Sequence, residues 1–352
     1  MTALLLLLAL SAAPLEVRVL ERDTPVRVHL EAARITCDGK PLASSVDAEA
    51  GAREVKVGEA KCTQVVAEDR VGVTVKETKR KYGGQVRVSL QGGLLRLINV
   101  VDVEAYLPSV VFAEADASKP AALEAQAIVS RTFALTAQKR HANAGYHLCD
   151  LAHCQVYRGQ GATSAEAEAA VKKTTNQVLL IGGIVLKPAF FHAACGGHTS
   201  TAADVFGEDA TGSAVSDVEN GAPRCKGPDL AWTFEVEKNR LAEALSVAPN
   251  GIAFEPLRRD SGGRILEVRA FGRRFSGQDF LSKVGRAFGW RSVRSLKFST
   301  TETDTSVVIQ GAGTGHGVGL CQLGARSLAE KGVDVKGILT RYFPESQIKP
   351  AP

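Results

Sequence analysis

Short alternations of apolar and polar residues run from Leu15 to about Val100, in the segments EVRVL, VRVHL, VGVTV, QVRVSL and LLRLI. A period of two puts every second side chain on one face of an extended chain, and Gly, Asp and Lys clusters separate the segments. The region is predicted to be an antiparallel, half-buried β module. From Pro120 to Arg140 the composition shifts to Ala, Leu, Gln and Glu, which reads as a helix with Pro120 in its first turn. A polar loop from His141 to Gly161 follows, then a helix from Ser164 to Thr174 and strands around Val178 to Leu186 and Ala189 to Ala194. Between Trp232 and Ser306 the pattern gives helices at Lys238 to Ser246 and near Gly277 to Phe288, with strands at Ile265 to Phe271 and Arg294 to Thr300. The run from Gln322 to Lys331 has helical composition and stops at Gly332. The class is α+β, without internal repeat or low-complexity tract.

Composition narrows this picture only slightly. The 352 residues, 45% hydrophobic and 23% charged, can bury one large core or a few smaller ones. A net charge of +5 would draw the chain weakly to anionic polymers. The Lys and Arg are dispersed, however, and no nucleic-acid-binding fold is signalled, so no nucleic-acid partner is expected. The N-terminus, MTALLLLLALSAAP, carries an apolar run from Ala3 to Leu10 and then Ser11, Ala12 and Ala13. It is shorter than the roughly 18 residues that span a bilayer and fits a signal peptide over residues 1–13, so export is expected. With no Lys or Arg ahead of that run, a buried first strand or a lipid-contacting anchor is the alternative reading. Seven cysteines in an exported chain invite disulfides, and the odd count leaves at least one free or metal-bound. Cys37 and Cys62 flank a short β-like stretch and are the first pair to bridge; Cys195 and Cys225 are a second candidate.

The chemistry-bearing residues cluster in a few blocks. GHGVGLCQLGARSLAEKG, from Gly315 to Gly332, sets His316 and Gln322 in a turn whose glycines let a partner approach the main chain. The bland alternative is a glycine turn between strand and helix with His316 bonded in the core. The other blocks are AEADASKPAALEAQAIVSRTFAL from Ala113 to Leu135, HCQVYRGQ from His153 to Gln160, FFHAACGGHTS from Phe190 to Ser200 and YFPES from Tyr342 to Ser346. In this order, from about Val101 to about Pro344, the blocks resemble the sporulation stage II protein D and LytB family of peptidoglycan-acting proteins.

That resemblance implies a division of the chain: a β-rich module over 15–100, a SpoIID-like α+β catalytic domain over 101–231 and 307–352, and an inserted smaller lobe over 232–306. It also implies a lytic transglycosylase whose catalytic glutamate falls on Glu114. Read on its own residues, Glu114 lies between the apolar run YLPSVVF and the turn DASKP, where a half-buried carboxyl can donate a proton. The alternative is that Glu114 and Asp116 are first-turn acids placed by the helix dipole. Ala115 and Lys119 stand where the family has larger apolar or aromatic residues. No second acid stands out in the matched blocks, which fits closure of a 1,6-anhydro ring by the muramic acid C6 hydroxyl better than hydrolysis.

The loop HANAGYHLCDLAHC holds His141, His147, Cys149, His153 and Cys154, donors suited to tetrahedral zinc. Cys149, His153 and Cys154 are the core of the expected site, with His141 or His147 as fourth ligand. A Cys149–Cys154 disulfide competes. Such a zinc would be structural, and no organic cofactor is expected. Arg131, Gln155, His192, His316 and Gln322 are the candidate substrate-groove residues, with an ion pair on the long helix as the alternative for Arg131. His192 and Cys195 suggest a nucleophilic pair, but the family has serine at the cysteine position. The expected partners are peptidoglycan glycan strands, in the periplasm or at the cell wall. A protein of another class, a non-catalytic wall-binding protein that stimulates an N-acetylmuramoyl-L-alanine amidase, would add a cell-wall amidase as partner.

Overall fold

The computed structural model describes residues 13–115, 119–207, 213–227 and 230–352. The apolar leader and Asp116 lie outside the described residues. The described chain forms two compact units, one made of the residues up to Glu114 with Ala134–Lys172, the other of Ala115–Phe133 with Lys173–Pro352. No helix among the described residues is long and apolar enough to cross a membrane.

The first unit is built on two sheets. Strands Leu15–Val19, Leu94–Val101, Gln85–Gln91, Gln64–Glu68, Arg34–Cys37 and Lys40–Pro41 are neighbours in that order, all antiparallel. The second sheet runs Thr78–Tyr82, Val71–Val75, Arg27–Glu31, Ser45–Ala50, Val55–Val57 and Ala60–Cys62. The period-two signal is visible as burial: Val17, Val28, Leu30, Val65, Val71, Val73, Val86, Val88 and Leu97 are interior. A Cys37–Cys62 disulfide staples one sheet to the other. The first sheet also takes a strand from far along the chain. Leu148–Cys149 adds in parallel beside Leu15–Val19, with Val17 opposite Leu148. This pairing anchors the polar loop to the β module.

The helix Val103–Glu114, which the sequence pattern did not announce, follows directly. It buries Tyr106, Leu107, Val110 and Val111 in spite of an internal Pro108. A proline there forfeits a backbone N–H and crowds the preceding turn, so this burial must outweigh the loss.

The second unit has two cores. One gathers Ala125, Ile128 and Val129 of the helix Pro120–Thr136 with Leu179, Leu186, Leu320, Ala325, Leu328, Ile338, Leu339 and Phe343. That helix ends four residues before Arg140. The apolar run predicted as a strand from Val178 to Leu186 is a hairpin, Gln177–Ile181 and Ile184–Val185, and Gln347–Pro350 adds to its outer edge. The other core, around Trp232, Phe254, Phe280 and Phe298, lies under strands Ala231–Glu237, Ser306–Ala312, Phe298–Glu302 and Ile265–Ala270 and helices Lys238–Leu245 and Gly277–Phe288.

Candidate functional site

Glu114 closes the helix Val103–Glu114 and is half-buried. It is therefore not a first-turn acid. At a helix C-terminus the free backbone groups are carbonyls, so the helix dipole gives a carboxylate no support there. A loop does instead: the backbone N–H of Val156 donates to Glu114 Oε1 at 2.7 Å. The neighbours of Val156 are also tied to this helix. Tyr106 donates its hydroxyl to Gln155 Oε1 at 3.2 Å, and the N–H of Arg158 donates to Ser109 Oγ at 3.1 Å. Tyr157, fully buried, packs against Tyr106 with ring centroids 4.7 Å apart and planes tilted by 45°, and donates to Asn99 Oδ1 at 2.9 Å. Burial pushes the Tyr106 phenol well above its usual range, with Glu114 and the nearby thiols adding to the effect.

Upstream in the same loop, His141, Cys149, His153 and Cys154 converge, their ligand atoms all within 4.8 Å of one another. His141 Nε2 lies 3.3 Å from Cys154 Sγ, and His153 Nδ1 lies 3.6 Å from Cys154 Sγ and 3.8 Å from Cys149 Sγ. A tetrahedral zinc with Zn–S near 2.3 Å and Zn–N near 2.0–2.1 Å has ligand-to-ligand edges of roughly 3.4–3.8 Å, so both donor set and spacing fit. The two thiols are not bonded to each other. A hydrogen bond from Cys149 holds Cys154 down at about 7, and the same pairing, with burial, pushes Cys149 up to about 12. His147 does not join them: its Nδ1 accepts the N–H of Glu16 at 3.1 Å, on the strand beside Leu148–Cys149. Asp150 pins the loop further through Arg80 at 2.7 Å and the N–H of Leu20 at 2.9 Å.

The second unit unites the two glycine-rich blocks. Phe191–His192 and Leu320–Cys321 pair in parallel with His192 opposite Cys321, and bridges join Ala194 to Thr314 and Ser200 to Val318. Gly319 passes so close to the Phe190 carbonyl that a Cβ would sit 2.1 Å from its oxygen, which explains glycine at that position. The rings of His192 and His316 are 5.7 Å apart, and His316 also meets Phe190 and Phe206 edge-on. His316 Nδ1 accepts the N–H of Val318 at 3.0 Å, so the neutral ring carries its proton on Nε2. His192 Nδ1 faces the Val318 carbonyl at 3.0 Å; burial first, then His316 and Arg264, hold the ring neutral. Half-buried Gln322 donates to Gln126 Oε1 at 3.4 Å. A cleft of about 530 Å³, within the range of small-molecule sites, opens beside Phe206, lined also by Asp204, Arg258, Gln278 and Leu296.

Three of the expected groove residues have almost no surface. Arg131 and Gln155 are 0% exposed and His192 4%, and Arg131 Nη1 donates to the Gln177 carbonyl at 3.1 Å. Gln155 is packed inside the first unit, and Arg131 and His192 inside the second. His316 and Gln322 keep surface. The expected Cys195–Cys225 disulfide is not formed: both are free thiols, 3.6 Å apart, with Cys321 beside them.

The chain is similar to known proteins over part of its length. A family model described as Stage II sporulation protein, SpoIID, matches residues 91–180. An uncharacterised protein of Brachyspira hyodysenteriae is 28% identical over 290 residues, covering 79% of this chain and 74% of that protein. Stage II sporulation protein D of Bacillus subtilis is 27% identical over 273 residues, covering 71% of this chain and 75% of its own length. The amidase enhancer of Bacillus subtilis is 24% identical over 275 residues, which take up 63% of this chain but 37% of that longer protein.

Proposed function

The chain belongs to the SpoIID/LytB family, and we propose that it is an exported lytic transglycosylase that cuts the MurNAc to GlcNAc linkage of peptidoglycan, acting on strands stripped of stem peptides. The observation that best supports this reading is the half-buried Glu114 carboxyl, fixed on Val156 N–H at the end of its helix. Glu114 protonates the oxygen that leaves muramic C1. The C6 hydroxyl of the same sugar attacks C1, and the Glu114 carboxylate takes its proton as the 1,6-anhydro ring closes. One carboxyl thus serves as acid and then base, and the nucleophile is already tethered in the substrate. Zinc held by His141, Cys149, His153 and Cys154 would have four protein ligands and no open position, so its role is structural. It would fix the loop two residues from the N–H that holds Glu114. His316 and Gln322 offer polar atoms for glycan contacts, while Arg131, Gln155 and His192 act as positioning residues.

The amidase-enhancer name of one relative favours a second reading, in which the chain binds wall glycan without cutting it and stimulates an amidase. Ala115 and Lys119, smaller or more polar than the family residues there, point the same way. The two readings separate when purified protein is incubated with amidase-treated sacculi and the products are examined by mass spectrometry. Anhydro-disaccharide should appear, and Glu114→Gln should reduce it by the roughly 10²- to 10⁴-fold typical of a lost general acid while glycan binding persists. Equal release from variant and parent would sink the assignment of Glu114. Faster amidase turnover with no anhydro product would establish the enhancer instead.

A further inference from the structure

Three buried thiols and an imidazole meet in the second unit, and the proposed reaction uses none of the thiols. Cys195, Cys225 and Cys321 are each 0% exposed. Cys195 Sγ lies 3.6 Å from Cys225 Sγ, and the Cys225 thiol also interacts with that of Cys321. The ligand atoms of His192, Cys195 and Cys321 lie within 4.8 Å of one another. The four residues reach this point from three segments, joined by the parallel pairing of His192 with Cys321.

Three further observations concern what such a cluster holds. A carbonyl can only accept, so His192 Nδ1 donates to Val318 O, and the lone pair of the neutral ring is on Nε2. That atom is buried without a hydrogen-bond partner. Metal-ligating histidines are oriented in this way, one nitrogen on a backbone carbonyl and the other presented to the ion. Backbone N–H groups aim at the sulfurs: Gly197 at Cys195 Sγ (3.3 Å), and Cys195 and Gly324 at Cys321 Sγ (3.2 and 3.4 Å). Such donors favour the thiolate form. Finally, Arg264 is 1% exposed and forms no salt bridge among the described residues; its Nη2 donates to the Cys195 carbonyl at 2.8 Å. Asp260, which interacts with it, is occupied by Ser200 Oγ and by the N–H groups of Gly262 and Arg264. A buried guanidinium needs an anion nearby, and three thiolates around a divalent ion carry one net negative charge.

We infer that Cys195, Cys225, Cys321 and His192 form a second metal centre, a closed site of three thiolates and one imidazole for a zinc-class ion. A Cys195–Cys225 disulfide would use two of these groups and leave a lone buried thiol, an unpartnered imidazole nitrogen and less negative charge beside the buried arginine. The four-ligand site accounts for all of them, and the 3.6 Å sulfur separation is close to a tetrahedral edge.

The test measures metal content of the full chain purified from zinc-supplemented medium, with folding of each variant checked by circular dichroism. With both centres filled, the parent should carry about two zinc per chain, and Cys321→Ser and Cys154→Ser about one each. Zinc that is lost on Cys154→Ser and fully retained in Cys321→Ser overturns this centre and leaves the loop site standing. The reverse pattern supports this centre and overturns the loop site. Should Cys321→Ser fail to fold, cobalt(II) loaded into Cys154→Ser provides the second measurement. Tetrahedral d–d bands with intense thiolate-to-cobalt absorption, weakened in the further variant Cys225→Ser, support the proposal. Absence of those bands, or an intact mass two hydrogens lower with Cys195 and Cys225 both protected from alkylation, overturns it.

Discussion

Replacing Gly317 by alanine probes how tightly the glycine block is fitted to what lies behind it. Gly317 has φ +85°, and a Cβ built there would meet Arg264 at 2.2 Å from Nε and 2.4 Å from Cζ. The guanidinium cannot simply swing aside, because it is buried and donates to the carbonyls of Cys195 at 2.8 Å and Gly315 at 3.4 Å. Gly332→Ala is the control. Its φ is +82° and nothing lies within 4 Å of the added atom, so it reports the backbone strain alone. That strain is about 1–3 kcal/mol in either variant. Gly317→Ala should cost about 2–4 kcal/mol more, from weakening two hydrogen bonds of a charged group at about 1.5–3 kcal/mol each. Trp232 allows a local assay: it is 6% exposed and donates to the Gly313 carbonyl at 2.9 Å, whereas Trp290, the other tryptophan, is 62% exposed. Urea unfolding followed by Trp232 fluorescence, in a Trp290→Phe background, should show the difference. In a cycle with Arg264→Ala the two losses should be markedly less than additive. Equal costs for Gly317→Ala and Gly332→Ala, or strict additivity with Arg264→Ala, would refute the reasoning.

The Cys37–Cys62 bridge closes a separation of 25 residues, so chain-entropy arguments put its loss, in a double serine variant, at about 3.5 kcal/mol; a shift under about 1 kcal/mol in urea unfolding would contradict the staple. If the proposed zinc fills the loop site, a chelator should lower the melting temperature and free Cys154 for alkylation. Its rate should rise with pH through about 7 as the thiolate forms and then level off, while Cys149, pushed up to about 12, stays slow. Similar rates for the two thiols by peptide mass mapping would contradict that pairing.

How much of this could be read from the sequence depended on whether the signal was local. Alternation in the first hundred residues and the uniform helical composition after Pro120 survive folding because each segment buries its own apolar face. The helix Val103–Glu114 was hidden because Pro108 interrupts it and apolar residues surround it, with Phe112 43% exposed on the outer side. That concealment also made Glu114 read as the start of a helix when it is the end of one. Cys37 and Cys62 could be paired from sequence because they share one alternating region. The choice between His141 and His147 could not be made, since it turns on the non-local pairing of Leu148 with Val17, which commits His147 to the Glu16 N–H. Likewise Cys321 joins Cys195 and Cys225 only through the register of two very short strands. A legible hint existed: ACGG and GLCQ each place a cysteine within two residues of a glycine of a site block.

The strand Leu15–Val19 lies between Leu94–Val101 and Leu148–Cys149. On a growing chain it therefore has no partner on either edge until Leu94–Val101 is made, and one edge stays open until Leu148–Cys149 is made. Loop-closure entropy rises only slowly with length, so the delay is tolerable thermodynamically. Its consequence is kinetic, since an unpaired strand with Val17 and Val19 exposed is prone to pair with a neighbouring chain. The loop that holds the Glu114 carboxyl is tied to that same strand, so the fixing of that carboxyl arrives with the last edge to close.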